Sequence, residues 1–120
     1  MNLKLLNYEL SVCKINNISE INFNDELVFV AKTDDELSLV CNTKSVPPKC
    51  ISCENGWKAF RIDGELDFSL IGIISKISTI LATNKIGIFI VSTFNTDYIL
   101  VKSENLDKTI KVLEKEGYIF

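Results

Sequence analysis

The chain contains no histidine and has only two prolines, one tryptophan and one methionine among its 120 residues. Without histidine it lacks the usual general base, and the serine and cysteine triads that depend on histidine are excluded as well. The sequence also has no P-loop and no dinucleotide-binding fingerprint. The residue content therefore predicts a protein that is not an enzyme and that requires no cofactor.

Clusters of lysine and arginine are also missing. The formal charge is -3 and the sequence pI is near 4.9, which argues against a nucleic-acid partner because the phosphate backbone attracts basic clusters. The most apolar span, residues 77–96, is interrupted by Asn84 and Lys85 and does not read as a membrane helix. The first twelve residues lack the features of a signal peptide, so we expect a cytoplasmic protein without a membrane partner.

The four cysteines are expected to be free thiols, because no secretory signal points to an oxidising compartment. Cys50 and Cys53 have a spacing found in zinc sites. The spacing of the other two, Cys13 and Cys41, fits no zinc pattern, and histidine ligands are absent. The sequence thus predicts no metal site.

The N-terminal section shows short apolar runs. Alternation from Leu5 to Val12 predicts a strand that reaches Ile15, and two further runs, 27–31 and 37–41, flank the polar stretch 32–36 as in a hairpin. The competing interpretation is a helix capped by Thr33, with Glu36 completing a capping box. The adjacent prolines Pro47 and Pro48 indicate a connector.

The C-terminal section has a clearer pattern. A strand beginning near Trp57 is predicted to end at Gly64. Apolar residues at helical spacing then predict a helix that begins at Phe68 or Ser69 and ends at Asn84, which would cap it in a left-handed backbone conformation. A strand over 87–94, a hairpin at Asn95 and a strand over 98–101 follow. Ser103 and Gly117 bound a last helix, and residues 118–120 could add a final strand. The order predicts an α+β, ferredoxin-like (βαββαβ) fold, an antiparallel sheet with both helices on one face.

Two polar corners bracket the first of these helices. Asp67 is expected either to cap the helix or to contact a ligand, and Asp97 either to stabilise the hairpin or to bind a cationic group. An acylphosphatase-like activity would need an arginine in a glycine-rich phosphate loop, whereas Arg61 falls within a predicted strand. The corners therefore point to a small charged ligand rather than to catalysis.

Several of these segments carry a family resemblance. The section from Trp57 to Tyr118 looks like an ACT domain, the small regulatory module that binds amino acids. More narrowly, the chain resembles short bacterial proteins made of two fused ACT-like halves, and its hairpin resembles that of the Castor-type cytosolic arginine sensors. The resemblance is carried by 33–38, 46–47, 56–57, 64–70 and 92–98. It implies a degenerate ACT-like half over 1–55 and an ACT domain over 56–120.

The resemblance also implies where a ligand would bind. ACT modules hold an amino acid at the junction of two units, within one chain or across a homodimer. Carried over by position, backbone amides of one segment would face the ligand's carboxylate, and a second segment would contact its amino group or side chain. The first segment is Asp67, Phe68, Ser69 and Leu70; the second is Ser92, Thr93, Phe94, Asn95 and Asp97.

The expected function is allosteric regulation, in which amino-acid binding is read by a regulated protein partner. The loop departs from the Pro-Gly pair usual in metabolic-enzyme ACT domains, so the ligand's identity cannot be copied from them. The alternative is an interaction module that has kept the fold and binds no ligand.

Overall fold

A computed structural model of the chain describes residues 1–63 and 71–120. Contacts group these residues into a small unit, Tyr8–Trp57, and a large unit, Met1–Asn7 with Lys58–Phe120. The domain boundary expected between residues 55 and 56 stays a prediction, because grouping by contacts does not show that either unit folds alone. No helix among the described residues is long and apolar enough to cross a membrane.

Seven strands and two helices make up the regular structure of the described chain. Short 3-10 turns occur at Ile18–Glu20, Thr43–Ser45 and Ser103–Asn105. The strands and helices in chain order are β1 (Leu3–Leu5), β2 (Leu10–Lys14), β3 (Phe29–Lys32), β4 (Leu37–Asn42), β5 (Ser52–Ile62), α1 (Ile73–Thr83), β6 (Phe89–Ser92), β7 (Asp97–Lys102) and α2 (Leu106–Lys115).

The large unit contains the predicted β-α-β-β-α succession, from the end of β5 to α2. Its strands lie in the order β1-β5-β7-β6, and β1 is antiparallel to β5 with Leu3 opposite Ile62. Both helices contribute to one apolar core, through Ile77 and Leu81 of α1 and Leu113 of α2. The predicted α+β class is therefore correct.

The N-terminal strand β1, rather than residues 118–120, lies beside β5. Of the C-terminal residues, Ile119 forms an isolated bridge with Asn2, and its carbonyl accepts a hydrogen bond from the Leu3 amide. The single strand expected up to Ile15 is also divided, because β1 ends at Leu5 and β2 begins at Leu10. Alternation continues across the break, but β1 pairs with the end of β5 whereas β2 pairs with the beginning of β5 and with β4, which alternation alone does not reveal.

The small unit has the strand order β3-β4-β2-β5. Its predicted hairpin is confirmed, with Lys32 opposite Leu37, and the capping-box helix at Thr33 is wrong. β5 begins at Ser52, not near Trp57, because polar residues of β5 pair with β2. Strand formation there follows from pairing rather than from the propensity of the segment.

Helix α1 begins later than the sequence predicted. Its first residue is Ile73, and Gly72 is its N-cap with a left-handed φ of 81°. The opening expected at Phe68 or Ser69 is therefore wrong for this helix, and so is Asp67 as its N-cap. Gly72, which helical spacing had placed inside the helix, supplies the backbone conformation that lets the chain turn into it.

The end of α1 forms a Schellman motif. The Ile86 amide donates to the Leu81 carbonyl and the Lys85 amide donates to the Ala82 carbonyl. Asn84 is the C-cap residue as predicted, but its φ is -95°, and the left-handed residue is Lys85 with φ 60°. Lys108 of α2 completes this end by donating to the Asn84 carbonyl at 2.8 Å.

Lys85→Gly is expected to raise the free energy of unfolding by about 0.5–1 kcal/mol. Glycine adopts a left-handed conformation without a steric cost, although its greater freedom in the unfolded chain offsets part of the gain. Chemical denaturation measures the difference. Lys85→Ala removes the same charge and keeps the strained conformation, so a gain of equal size in that variant would contradict the explanation.

Candidate functional site

The β6–β7 hairpin carries the described part of the predicted site. Ser92 lies opposite Asp97 in the register, and the Thr93 amide donates to the Thr96 carbonyl at 2.8 Å. The Thr93 hydroxyl donates to the same carbonyl at 2.9 Å. Phe94 and Asn95 thus form the tip of the turn, where both are exposed.

Thr96 attaches this hairpin to the end of β5. Its side chain is 7% exposed, and its hydroxyl donates to the Ile62 carbonyl at 2.9 Å. Since Ile62 is the last residue of β5, the hairpin lies next to the point where the chain leaves that strand. Sequence reasoning missed this residue because a threonine at a hairpin tip gives no sign of a long-range bond.

Strand alternation places Ser92 and Asp97 on the core side of the hairpin. Asp97 has the same parity in β7 as the core residues Ile99 and Val101, and Ser92 has the same parity in β6 as Ile90. Asp97 is half-buried and Ser92 is exposed. A hydroxyl and a carboxylate therefore continue the core face to the end of the hairpin, where they can accept hydrogen bonds from a cationic group.

Tyr98 points to the opposite face, and its hydroxyl lies 3.4 Å from Nη1 of Arg61 on β5. The guanidinium group of Arg61 therefore lies near Tyr98, the residue after Asp97 in β7, on the side of the sheet opposite to the Asp97 side chain. Phe94, for which a place in the core is more usual than a place in a ligand site, is instead 78% exposed.

A cavity of about 250 Å³ lies at the start of α1. Lys76 and Glu116 bring opposite charges to its wall, and Gly72 brings backbone at the helix start. The complete lining is Met1, Ile71, Gly72, Ile73, Lys76, Glu116, Gly117 and Tyr118. None of the predicted hairpin residues lines this cavity.

The other half of the predicted site, Asp67, Phe68, Ser69 and Leu70, lies outside the described residues. Its ligand-binding role stays a prediction. The described residues on either side of the stretch 64–70 are Asp63, after β5, and Ile71, before α1. Asp63 directly follows Ile62, whose carbonyl accepts the hydrogen bond from Thr96.

The small unit contains an acidic cavity of about 330 Å³. The Tyr8 hydroxyl donates to a Glu26 carboxylate oxygen at 2.7 Å, and this bond is the main cause of the raised pKa of Tyr8. The Oδ2 atom of Asp25, which also lines the cavity, is buried without a hydrogen-bond partner in the described structure. No sequence pattern pointed to this cavity, because four of its residues, 24–27, fall between β2 and β3 while Tyr8 and Asn42 come from distant parts of the unit.

The two units have hairpins with the same tip geometry. In the small unit the Thr33 amide donates to the Glu36 carbonyl at 2.9 Å, as Thr93 does to Thr96 in the large unit. The Thr33 hydroxyl accepts hydrogen bonds from the Asp35 and Glu36 amides. The two hairpins differ in charge, since 34–36 is Asp-Asp-Glu and 94–96 is Phe-Asn-Thr.

A model of the ACT domain matches residues 52–115, which is more than half of the chain. The chain belongs to the ACT domain family. The matched range contains β5, both helices and the β6–β7 hairpin, so it covers every strand and helix of the large unit except β1.

This ACT-domain protein is similar to solved structures over nearly its whole length. Protein Atu0741 from Agrobacterium tumefaciens is 34% identical, with a TM-score of 0.88 over 98% of this chain and 90% of that one. The regulatory subunit of aspartate kinase from Thermus thermophilus has a TM-score of 0.69 over 98% of both chains at 8% identity. At that identity the likeness shows the fold alone.

A curated relative matches part of the chain. The cytosolic arginine sensor for mTORC1 subunit 1 of Homo sapiens is 37% identical over 60 residues. The match covers 49% of this chain and 18% of the sensor, and the Bos taurus protein gives the same values. The ACT-domain protein therefore corresponds to less than one fifth of these relatives.

Proposed function

We propose that this ACT-domain protein is a non-catalytic regulatory sensor that binds a free amino acid. The observation that carries the proposal is the hairpin end, where the Asp97 carboxylate and the Ser92 hydroxyl lie opposite each other on the core side. A carboxylate in this position suits the ammonium or guanidinium group of an amino acid. Membership in the ACT family and the partial similarity to arginine sensors support the same function.

The second half of the site would be the segment 67–70, whose backbone amides would hold the ligand's carboxylate. Its position in sequence supports this, because it follows closely after Ile62, the last residue of β5 and the acceptor of the Thr96 hydrogen bond. The ligand would then be held at a junction between ACT units, within the chain or in a homodimer. Binding there would change how the units pack, and a protein partner would respond to the altered surface.

We further propose that both units are versions of one ferredoxin-like ACT half. The large unit has the strand order β1-β5-β7-β6 and the small unit has the order β5-β2-β4-β3. In both, the second strand of the hairpin, β7 or β4, lies between the first strand of the hairpin and the strand that precedes the hairpin in the chain, β5 or β2. In the small unit, 3-10 turns at Ile18–Glu20 and Thr43–Ser45 occupy the chain positions of α1 and α2. The repeated hairpin geometry at Thr33 and Thr93 supports this relationship.

The test is a thermal-shift screen against the proteinogenic amino acids. A ligand that binds only the folded state stabilises it and so raises the melting temperature. At a concentration of one hundred times its Kd, the added free energy of unfolding is roughly 2.7 kcal/mol. We expect a shift with one or a few amino acids. Asp97→Asn should abolish this shift while leaving the melting temperature of the ligand-free protein within a few degrees of that of the parent protein.

Asp107→Asn provides the matched control, because it makes the same chemical change at an exposed position of α2. It should retain the shift. A shift that persists in Asp97→Asn would reject the hairpin as the binding site, and Asp25→Asn would then test the acidic cavity. A flat screen at millimolar concentrations would reject the sensor and favour the interaction module.

A further inference from the structure

Cys13 and Cys53 form a close pair of thiols in the small unit. They lie directly opposite each other on the adjacent antiparallel strands β2 and β5. Their Sγ atoms are 3.2 Å apart. Both belong to one apolar cluster, in which Cys13 is buried and Cys53 is packed against the buried residues.

The backbone at this pair is suited to a covalent bond between the sulfur atoms. Opposed residues of antiparallel strands have Cα atoms about 4.5–5.5 Å apart, which lies within the range of roughly 4.4–6.8 Å that disulfides span. A disulfide requires the sulfur atoms to approach to about 2.05 Å. Small rotations about the two Cα–Cβ bonds can supply this approach, so the strands need not separate.

We propose that Cys13 and Cys53 are a modification site at which a peroxide or a disulfide reagent forms a reversible intramolecular disulfide. This inference does not depend on amino-acid binding. The other two cysteines are less suited to the reaction. Cys41 lies on β4 opposite Ser11 and is 2% exposed, and Cys50 precedes β5 in the chain.

The different exposure of the two thiols assigns the order of the steps. Cys53 is partly accessible, and its thiol donates a hydrogen bond to the side-chain oxygen of Asn55 at 3.3 Å. Cys13 is 2% exposed, and burial raises the pKa of its thiol. The reagent should therefore react first with Cys53, and Cys13 should complete the bond.

With hydrogen peroxide, the Cys53 sulfur attacks one oxygen, the O–O bond breaks, and a sulfenic acid and one water are formed. The Cys13 sulfur then attacks the Cys53 sulfur, the S–O bond breaks, and the hydroxide leaves with the Cys13 proton as a second water. Two thiols are oxidised by two electrons and one peroxide is reduced. A dithiol reductant reverses the reaction by thiol–disulfide exchange.

The disulfide would connect β2 to β5 and enclose the whole β3–β4 hairpin in a covalent loop. Closing a loop restricts the unfolded chain and stabilises the folded one, so oxidation is expected to raise the melting temperature by on the order of 10 °C. The modification would thus set the stability of the small unit according to the redox conditions.

The test treats the folded, reduced chain with equimolar hydrogen peroxide or with oxidised glutathione. Intact mass spectrometry should show the loss of two hydrogens, and dithiothreitol should restore the original mass and melting temperature. Cys53→Ser should abolish both the mass change and the rise in melting temperature. Cys50→Ser, which removes a neighbouring partly exposed thiol, should retain both.

Two results would overturn the assignment. One is a two-hydrogen loss that persists in Cys53→Ser or disappears in Cys50→Ser, since the bond would then join other cysteines. The other is a wild-type chain that remains reduced, or only gains oxygen, under conditions that oxidise a model dithiol. Circular dichroism of the reduced variants verifies that each is folded, so a loss of reaction cannot be attributed to unfolding.

Discussion

Replacement of Phe60 by alanine is expected to lower the free energy of unfolding by about 3–5 kcal/mol. Phe60 has no exposed surface and lies in the core of the large unit. Its ring also meets that of Phe120 edge to face, with centroids 5.4 Å apart. The substitution removes apolar contacts and leaves a cavity that surrounding strands and helices fill only in part.

Chemical denaturation of the two proteins measures this loss. Small domains are stable by only about 5–15 kcal/mol, so the variant should unfold at a much lower denaturant concentration. Phe94→Ala removes the same side chain from an exposed position of the same unit and should change stability by less than about 0.5 kcal/mol. A loss below about 1 kcal/mol in Phe60→Ala would show that this core is not packed as described.

The sequence predicted those elements whose local pattern agrees with their tertiary environment. Both hairpins were found, because short β-rich runs surround polar tips. The final helix was also found, with Gly117 following it in a left-handed conformation at φ 96°. At such places local preference and packing favour the same structure. The cap predicted for this helix at Ser103 is wrong, because a 3-10 turn occupies Ser103–Asn105 and Asn105 is the N-cap of α2.

The sequence failed where strand pairing or a left-handed backbone conformation determines the structure. A glycine in a helical pattern reads as a weak interior position, whereas Gly72 actually starts α1 with positive φ. Similarly, the polar residues of β5 before Trp57 have no strand pattern, and they become a strand because β2 provides hydrogen-bond partners. Neither effect is visible in residue types alone.

The candidate site was predicted in part. The sequence identified the polar end of the β6–β7 hairpin, and the structure adds the Thr96 bond that fixes it to β5. The binding role of Asp97 and of the segment 67–70 stays a prediction. Ligand identity does not follow from the fold, because the orientation of a few side chains decides it and a solved structure with the same fold is only 8% identical.

The reduced protein is expected to lose stability steeply above about pH 8.5. Burial raises the pKa of the Cys41 thiol to about 11, and it also raises the pKa of Cys13. An unfolded thiol titrates near 8.5, so above this pH the unfolded chain releases protons that the folded chain keeps. The stability contributed by the buried neutral thiols is therefore complete below pH 8.5 and is lost as the pH rises toward 11.

Each buried thiol should cost up to about 1.4 kcal/mol per pH unit in this range. Urea denaturation between pH 8 and pH 10.5, with a phosphine reductant present to prevent disulfide formation, measures the slope. The other ionisable groups are common to every variant, so the informative quantity is the difference in slope between variants.

Cys41→Ala replaces one buried thiol with a group that does not titrate, and it should make the pH slope shallower even if the small cavity lowers stability at pH 8. Cys50→Ala, which removes a half-buried thiol packed against the same cluster, serves as the matched comparison. Equal slopes in the parent chain and Cys41→Ala would mean that this thiol is not desolvated. The alkaline loss would then have to be assigned to Cys13 or to groups outside this cluster.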